Sequence, residues 1–217
     1  GQPQLARKPY KSSGGKMVFN EALKREIPEG WEVGTLLDIA QYTNGIACQK
    51  YRPTRGGILP VIKIKEMRDG FTKATEEVGS HVPEKVKIKN GDVLFSWSAS
   101  LEVMVWTGGK GALNQHIFKV TSDIYPRAYF FHQLSDYLAH FKMLADLRKT
   151  TMGHITQDHL QQSRISIPTS ECIQAFDVRV LPLQEAMINN QKQNQELTQL
   201  RNWLLPMLMN GQVSMIN

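Results

Sequence analysis

Three groups of residues in this 217-residue sequence are equipped for contact chemistry. Lys50, Tyr51 and Arg52, with Arg55 beyond Pro53, place an aromatic ring and guanidinium groups on a stretch that ends in Gly56-Gly57. Guanidinium forks bind phosphates and the edges of bases. Asn114 and Gln115 follow the glycine-rich run GGKG, which carries Lys110. Their amides match the donor–acceptor pattern on adenine, although turn hydrogen bonds would use the same groups. Lys149, Thr151 and His154 gather where a helical pattern stops, either to grip phosphates or to complement the helix dipole. Trp97 and Trp106 flank a short segment that includes Ser98. They could stack on bases, but a tryptophan in a strand is more often core.

Signatures of catalysis are missing from the sequence. GGKGALN (108–114) and SSGGKM (12–17) lack the spacing of a phosphate loop, Ser96-Trp97-Ser98 lacks the glycines of a nucleophile elbow, and no H-E-x-x-H occurs. His154 and His159 are five apart and do not share a helical face. A Ser–His–Asp set assembled from distant residues stays open, because such triads are defined by geometry. Two cysteines, Cys48 and Cys172, make neither a disulfide framework nor a zinc site and suit a reducing cytoplasm. A net charge of +6 favours a polyanionic partner. No run of about 18 apolar residues is present, which excludes a transmembrane helix. The basic N-terminus has no apolar stretch of the kind a signal peptide needs.

The elements that would position these groups divide the chain into three. Residues 1–26, with SSGG at 12–15, read as a flexible N-terminal linker. IPEGW (27–31) opens a folded domain over 27–168. TLLDIA (35–40) is a short helix or strand, and its length does not decide which. Between Lys50 and Asn90, ten Lys or Arg face five Asp or Glu. There LPVIKIK (59–65) alternates apolar and basic side chains, which predicts a half-buried strand with Lys63 and Lys65 on a cationic face. VKIK (86–89) repeats the pattern. Basic faces of this kind hold phosphates or are simply solvated. Strands are expected at 93–97, 102–106, 116–121 and 164–167, joined by glycine-rich turns, and so in an antiparallel or mixed sheet. A 3.6-residue period through Phe130, Leu134, Leu138, Phe141, Leu144 and Leu147 predicts an amphipathic helix over 127–149.

The third part, residues 169–217, is organised around Leu183–Leu204, which has no glycine or proline and makes a rod of roughly 33 Å. Pro182 should kink the helical pattern or split it into 171–180 and 183–209. One heptad frame runs through Phe176, Val180, Leu183, Met187, Asn190, Asn194, Leu197, Arg201 and Leu204. Its ends are apolar and its middle, Asn189–Glu196, is amide and charge. Such a rod is better suited to bridge bodies than to sit in a core. Buried polar heptad positions such as Asn190 and Asn194 can fix register between two helices, and solvation is the simpler reading of the same residues.

IPEGW (27–31), TNG (43–45), LPVIKIK (59–65), NGDVLFSWSAS (90–100), LNQHIFKV (113–120), TMGHITQDHL (151–160), ISIP (165–168) and LTQLRNWLLPMLMNGQV (197–213) occur in an order and spacing that resemble the specificity subunit of type I restriction–modification systems. The resemblance runs from Lys8 onward, and LRNWLLPMLMNGQV is its most specific piece. It implies an α+β fold: a mixed-sheet target recognition domain followed by a long C-terminal helix in an antiparallel, coiled-coil-like dimer spacer. It also implies a cytoplasmic bacterial or archaeal protein without catalytic residues, metal or cofactor of its own. Such a subunit binds double-stranded DNA, recruits modification (methyltransferase) subunits and the restriction subunit, and leaves S-adenosylmethionine, ATP and Mg to those partners. Members usually carry two recognition domains, and this sequence has one. It is therefore expected to be either a half-length subunit that pairs as a homodimer or the C-terminal half of a longer subunit. The segment leading into IPEGW favours the latter. DNA-contacting residues are then expected among Lys50, Tyr51, Arg52, Arg55, Lys63, Lys65, Ser98, Lys110, Asn114, Gln115, Lys149, Thr151 and His154. Helix contacts are expected at Leu183, Met187, Asn190, Asn194, Leu197, Leu200 and Leu204. The rival from another class is a protein–protein adaptor with a basic surface and no sequence-specific DNA binding.

Overall fold

Apolar side chains on both sides of VLFS (93–96) require a strand with a core on each face, and this strand is the centre of the fold. In a computed structural model, which describes residues 14–53, 56–147 and 154–212, the chain begins with a hairpin. Its strands are β1 (Met17–Asn20) and β2 (Arg25–Pro28). Asn20 Oδ1 accepts the Ala22 and Leu23 amides at 3.0 and 3.1 Å, closing the turn. Part of the stretch expected to be plain linker is therefore paired strand, while residues 1–13 lie outside the described residues.

After β3 (Glu32–Thr35), the ambiguous TLLDIA run forms a helix, α1 (Leu36–Ile39). Asp38 decides it, since Oδ2 accepts both the Thr35 amide and hydroxyl at 2.7 and 2.9 Å and caps the first turn. Then come β4 (Gln41–Asn44), β5 (Ile58–Ile62), α2 (Ile64–Asp69), β6 (Glu77–Gly79), β7 (Lys87–Ile88), β8 (Val93–Ser96), β9 (Glu102–Val105), β10 (Gly111–Leu113) and β11 (Ile117–Thr121). The strand expected through Lys65 stops at Ile62. Glu66 reaches back to the Lys63 amide at 3.2 Å and also receives the Thr75 hydroxyl, so local side-chain bonding turns IKEMRD into α2. The expected strand over 86–89 shortens to two paired residues.

Two four-stranded sheets result, in the orders β4-β11-β8-β9 and β6-β5-β10-β7. The second is mixed, because β10 runs parallel to β5 and antiparallel to β7. Along β8, Val93 and Phe95 enter the core shared with α1 and α3 (Arg127–Leu147), whereas Leu94 enters the core between the sheets. Ile117 and Phe118 of β11 divide the same way. Phe130, Leu134 and Phe141 of α3 are buried in the first core, with Leu138 and Leu144 packed against it; the Leu147 side chain lies outside the described ones. Phe95 stacks on Phe141 at 6.0 Å and 19°. Truncating either ring would cost about 3–5 kcal/mol.

Helix α4 (Gln157–Gln162) and β12 (Arg164–Ile167), paired with β3, lead to α5 (Ser170–Met209). This helix is continuous through Pro182 and does not split there. The proline forfeits one bond to the Val178 carbonyl, but Ile173 before it and Gln184 and Ile188 after it are all buried, so packing against the domain supports the helix on both sides of it. Arg127 Nε donates to Gln184 Oε1 at 3.3 Å, and Gln195 Nε2 to Thr107 Oγ1 at 3.5 Å. The stop at Gly211 (φ +65°) is where the sequence placed it.

Candidate nucleic-acid interface

The central sheet ends in a ring of loops that main-chain bonds lace together. Gly45 N donates to Ile117 O (3.0 Å), Ile46 N to Leu113 O (3.0 Å), Trp97 N to His116 O (3.3 Å) and Ile155 N to Trp97 O (2.9 Å). Four segments far apart in sequence, around 44–46, 97–98, 114–116 and 154–155, thus share one edge. Gly45 makes this possible, since a Cβ there would lie 2.1 Å from the Asn114 carbonyl oxygen.

At the middle of the edge is Trp97. Its Nε1 donates to Asn44 Oδ1 at 3.0 Å, and its ring lies 5.6 Å from His116 and 5.3 Å from His154. Gln115 is exposed beside them, its Nε2 3.4 Å from His116 Nε2. An indole, two imidazoles and two amides, with Asn44, Gln115 and His154 exposed and Trp97 and His116 half-buried, are of the types that stack on a base and exchange hydrogen bonds with it. They offer nothing resembling a nucleophile held by a base. Among the described residues no group of three or more His, Cys, Asp or Glu could hold a metal ion.

The residues expected to contact DNA are sorted by their surroundings. Gln115 and His154 stand on the edge. Asn114, adjacent in sequence, is buried, and its Oδ1 accepts the His116 amide at 3.4 Å, the turn bond that its position allows. Ser98 is also buried, at 2% exposure. Trp106 is core: it is buried, donates to Gly109 O at 2.7 Å and meets Phe71 edge-on. Lys50 and Arg52 are exposed, while Tyr51 packs half-buried beside His81 with ring centroids 5.6 Å apart. Lys63 is not on a cationic strand face but pairs with Glu76 at 2.5 Å, and Lys65 is exposed on α2. Lys110 lies on the rim of a separate groove. Arg55, Lys149 and Thr151 lie outside the described residues.

Asn44 lies in the TNG run (43–45) and His116 opens the strand expected at 116–121, neither named by itself as a contact residue, and only the pairing of β11 with β4 and β8 brings them to Trp97. Beneath the edge, burial, reinforced by the charge of Glu76, pushes the Cys48 thiol up to about 11. Burial alone raises Tyr42 well above its ordinary value.

The helix presents a second surface. At about 100° per residue, Ile173, Gln184, Ile188 and Gln195 fall on one face, toward the domain. The heptad frame is centred about 110° away. On it Leu183 and Met187 are 64% and 61% exposed and Leu197 62%, with Asn190 and Asn194 exposed between them; Leu204 is half-buried. Leu200 and Trp203, farther round the C-terminal half, are exposed too.

A polar and aromatic edge on an α+β domain and a long helix with exposed apolar side chains are the two candidate binding surfaces. Residues 28–199 match the family model of the type I restriction modification DNA specificity domain. The chain belongs to that family. It is 27% identical over 218 residues to the type I restriction enzyme MjaIX specificity subunit of Methanocaldococcus jannaschii, an alignment covering 94% of this chain and 49% of that one. It is 28% identical over 195 residues to the HindI specificity subunit of Haemophilus influenzae, covering 86% of this chain and 42% of that one. The chain therefore spans about half the length of these curated relatives or less. The crystal structure of a type I restriction-modification system S subunit from M. genitalium shares the fold, with a TM-score of 0.54 at 12% identity over 82% of this chain and 46% of that one.

Proposed function

We propose that this chain reads one half of a bipartite DNA target for a type I restriction–modification complex, with the edge around Trp97 meeting the bases. The convergence of Asn44, Trp97, Gln115, His116 and His154 from four separate loops carries the reading. No requirement of folding obliges these polar and aromatic groups to meet at the surface. In the same reading α5 is the spacer. Its exposed seam takes the helix of a second recognition half, either an identical chain or another segment, and modification and restriction subunits assemble on the result. Methyl transfer and cleavage belong to those partners, with their S-adenosylmethionine, ATP and Mg.

Selection from a pool of random duplexes by the full chain tests this. An enriched half-site is the expected result. Gln115→Ala should relax the preference at one base position, at about 1–3 kcal/mol. Trp97→Ala should reduce selected and random duplexes to similar affinity. Equal affinity of the unmodified chain for every sequence would refute the base-reading role and leave an adaptor.

A further inference from the structure

We propose that a lysine-lined groove beside β7 is a second, sequence-blind contact with DNA, holding the phosphate backbone of the duplex whose bases meet the Trp97 edge. This rests on the DNA-reading role above. The groove has a volume of about 330 Å³, and Lys87, Lys89, Lys110 and Lys119 converge on it, with Glu84 at its margin and Ile88 in its wall. The lysines come from three elements: β7 with the residue following it, the turn before β10, and the interior strand β11.

Their charges are unequally available. Lys119 donates to the Lys87 carbonyl at 3.0 Å and pairs with Asp92 at 3.1 Å, both side chains being largely buried, so it braces the groove. Lys87 pairs with Glu84, whose side chain is 84% exposed. Exposed pairs of this kind are weak and yield readily to a phosphate. Lys89 and Lys110 are exposed, and among the described residues neither has a carboxylate partner. Four ammonium groups against Glu84 and Asp92 leave the groove positive.

Lysines on an edge strand also deter unwanted strand pairing. That explanation fits Lys87 and Lys89, since among the described residues β7 pairs with β10 alone, through two residues. It does not reach Lys110, which sits on a turn, or Lys119, which comes from a strand paired on both sides. Position favours DNA. Lys119 is four residues along from Gln115, a span of at most roughly 13 Å. The major groove is about 12 Å wide, so Lys119 lies within about one groove width of the edge, near enough for the groove and the edge to meet one duplex.

The test measures binding of the full chain to a random-sequence duplex and to a selected one as salt is raised. Removing two phosphate contacts in Lys89→Ala/Lys110→Ala should make the log–log salt slope shallower by about 1.8. Affinity for both duplexes should fall by the same factor, roughly 10- to 60-fold at 0.1 M salt. Lys89→Arg/Lys110→Arg should keep the original slope. An unchanged slope in a folded double-alanine variant, or a loss confined to the selected duplex, would overturn the proposal. If the unmodified chain shows no sequence preference, the base-reading role fails separately, and the slope comparison still decides the groove.

Discussion

The sharpest consequence of the uncovered helix seam is what should follow when Leu197 is shortened to alanine. In the single chain Leu197 is 62% exposed. A leucine loses the equivalent of about three CH₂ groups on going to alanine, worth about 0.8 kcal/mol each when fully buried, or about 2.4 kcal/mol. Some six-tenths of that burial is still to be gained when a second helix covers the seam, which leaves about 1.4 kcal/mol per chain. In a twofold pair of identical chains the residue occurs twice in one interface, so the loss is about 3 kcal/mol, or about 100-fold in the dimer dissociation constant. Sedimentation equilibrium over a wide concentration range measures it directly. Val178→Ala is the control: Val178 is 74% exposed but lies on the far side of the helix, about 140° from the centre of the seam, so the same assay should show no change. A Leu197→Ala dissociation constant within threefold of the parent would refute the seam as the interface. A chain that stays monomeric at high concentration would refute the identical-chain arrangement and point to a second half of different sequence.

The remaining expectations can be checked on the folded chain. Gly45→Ala should lower the thermal midpoint, because its Cβ would sit 2.1 Å from a main-chain oxygen that cannot swing aside; overpacking of this kind costs about 1–3 kcal/mol or more, and an unchanged midpoint would contradict the close approach. Of the two thiols, exposed Cys172 should react promptly with an alkylating reagent at pH 8, and Cys48, buried with its thiol raised to about 11, only after denaturant is added. The same shift has a sign for stability. A thiol whose folded value is raised favours the protonated folded state, so its contribution is intact below about pH 9 and is lost as pH rises through about 11. The thermal midpoint should therefore fall across that window, and fall less in Cys48→Ala; parallel curves would contradict it.

Much of this was visible before folding was considered. The strand at 164–167 and the helix from 127 follow from periodicity, and the stop of the terminal helix from Gly211. LPVIKIK misled because alternation over so few residues is also compatible with a strand that ends early, and the capping reach of Glu66 back to Lys63 settled it. Pro182 does not split the terminal helix, one of the two outcomes its position allowed. The local cost of a proline is real, but it was outweighed by burial of Ile173, Gln184 and Ile188 on either side, a sum that no local window contains.

What the sequence determined by itself is the division of labour: a basic α+β body without catalytic signatures, and a terminal helix whose heptad seam turns polar in the middle. Those are properties of type and period, which one dimension carries in full. What only the tertiary structure decided is which neighbours in sequence part company in space. Asn114 and Gln115 are adjacent amides of like chemistry, yet the pairing of β10 with β5 and of β11 with β4 and β8 buries one against Gly45 and leaves the other beside His116. Likewise the four lysines of the groove lie on segments separated by as many as 32 residues and meet because Lys119 reaches across to the Lys87 carbonyl. A surface is made by long-range strand register, and register is fixed by the two cores on either side of β8, not by any residue that the surface displays.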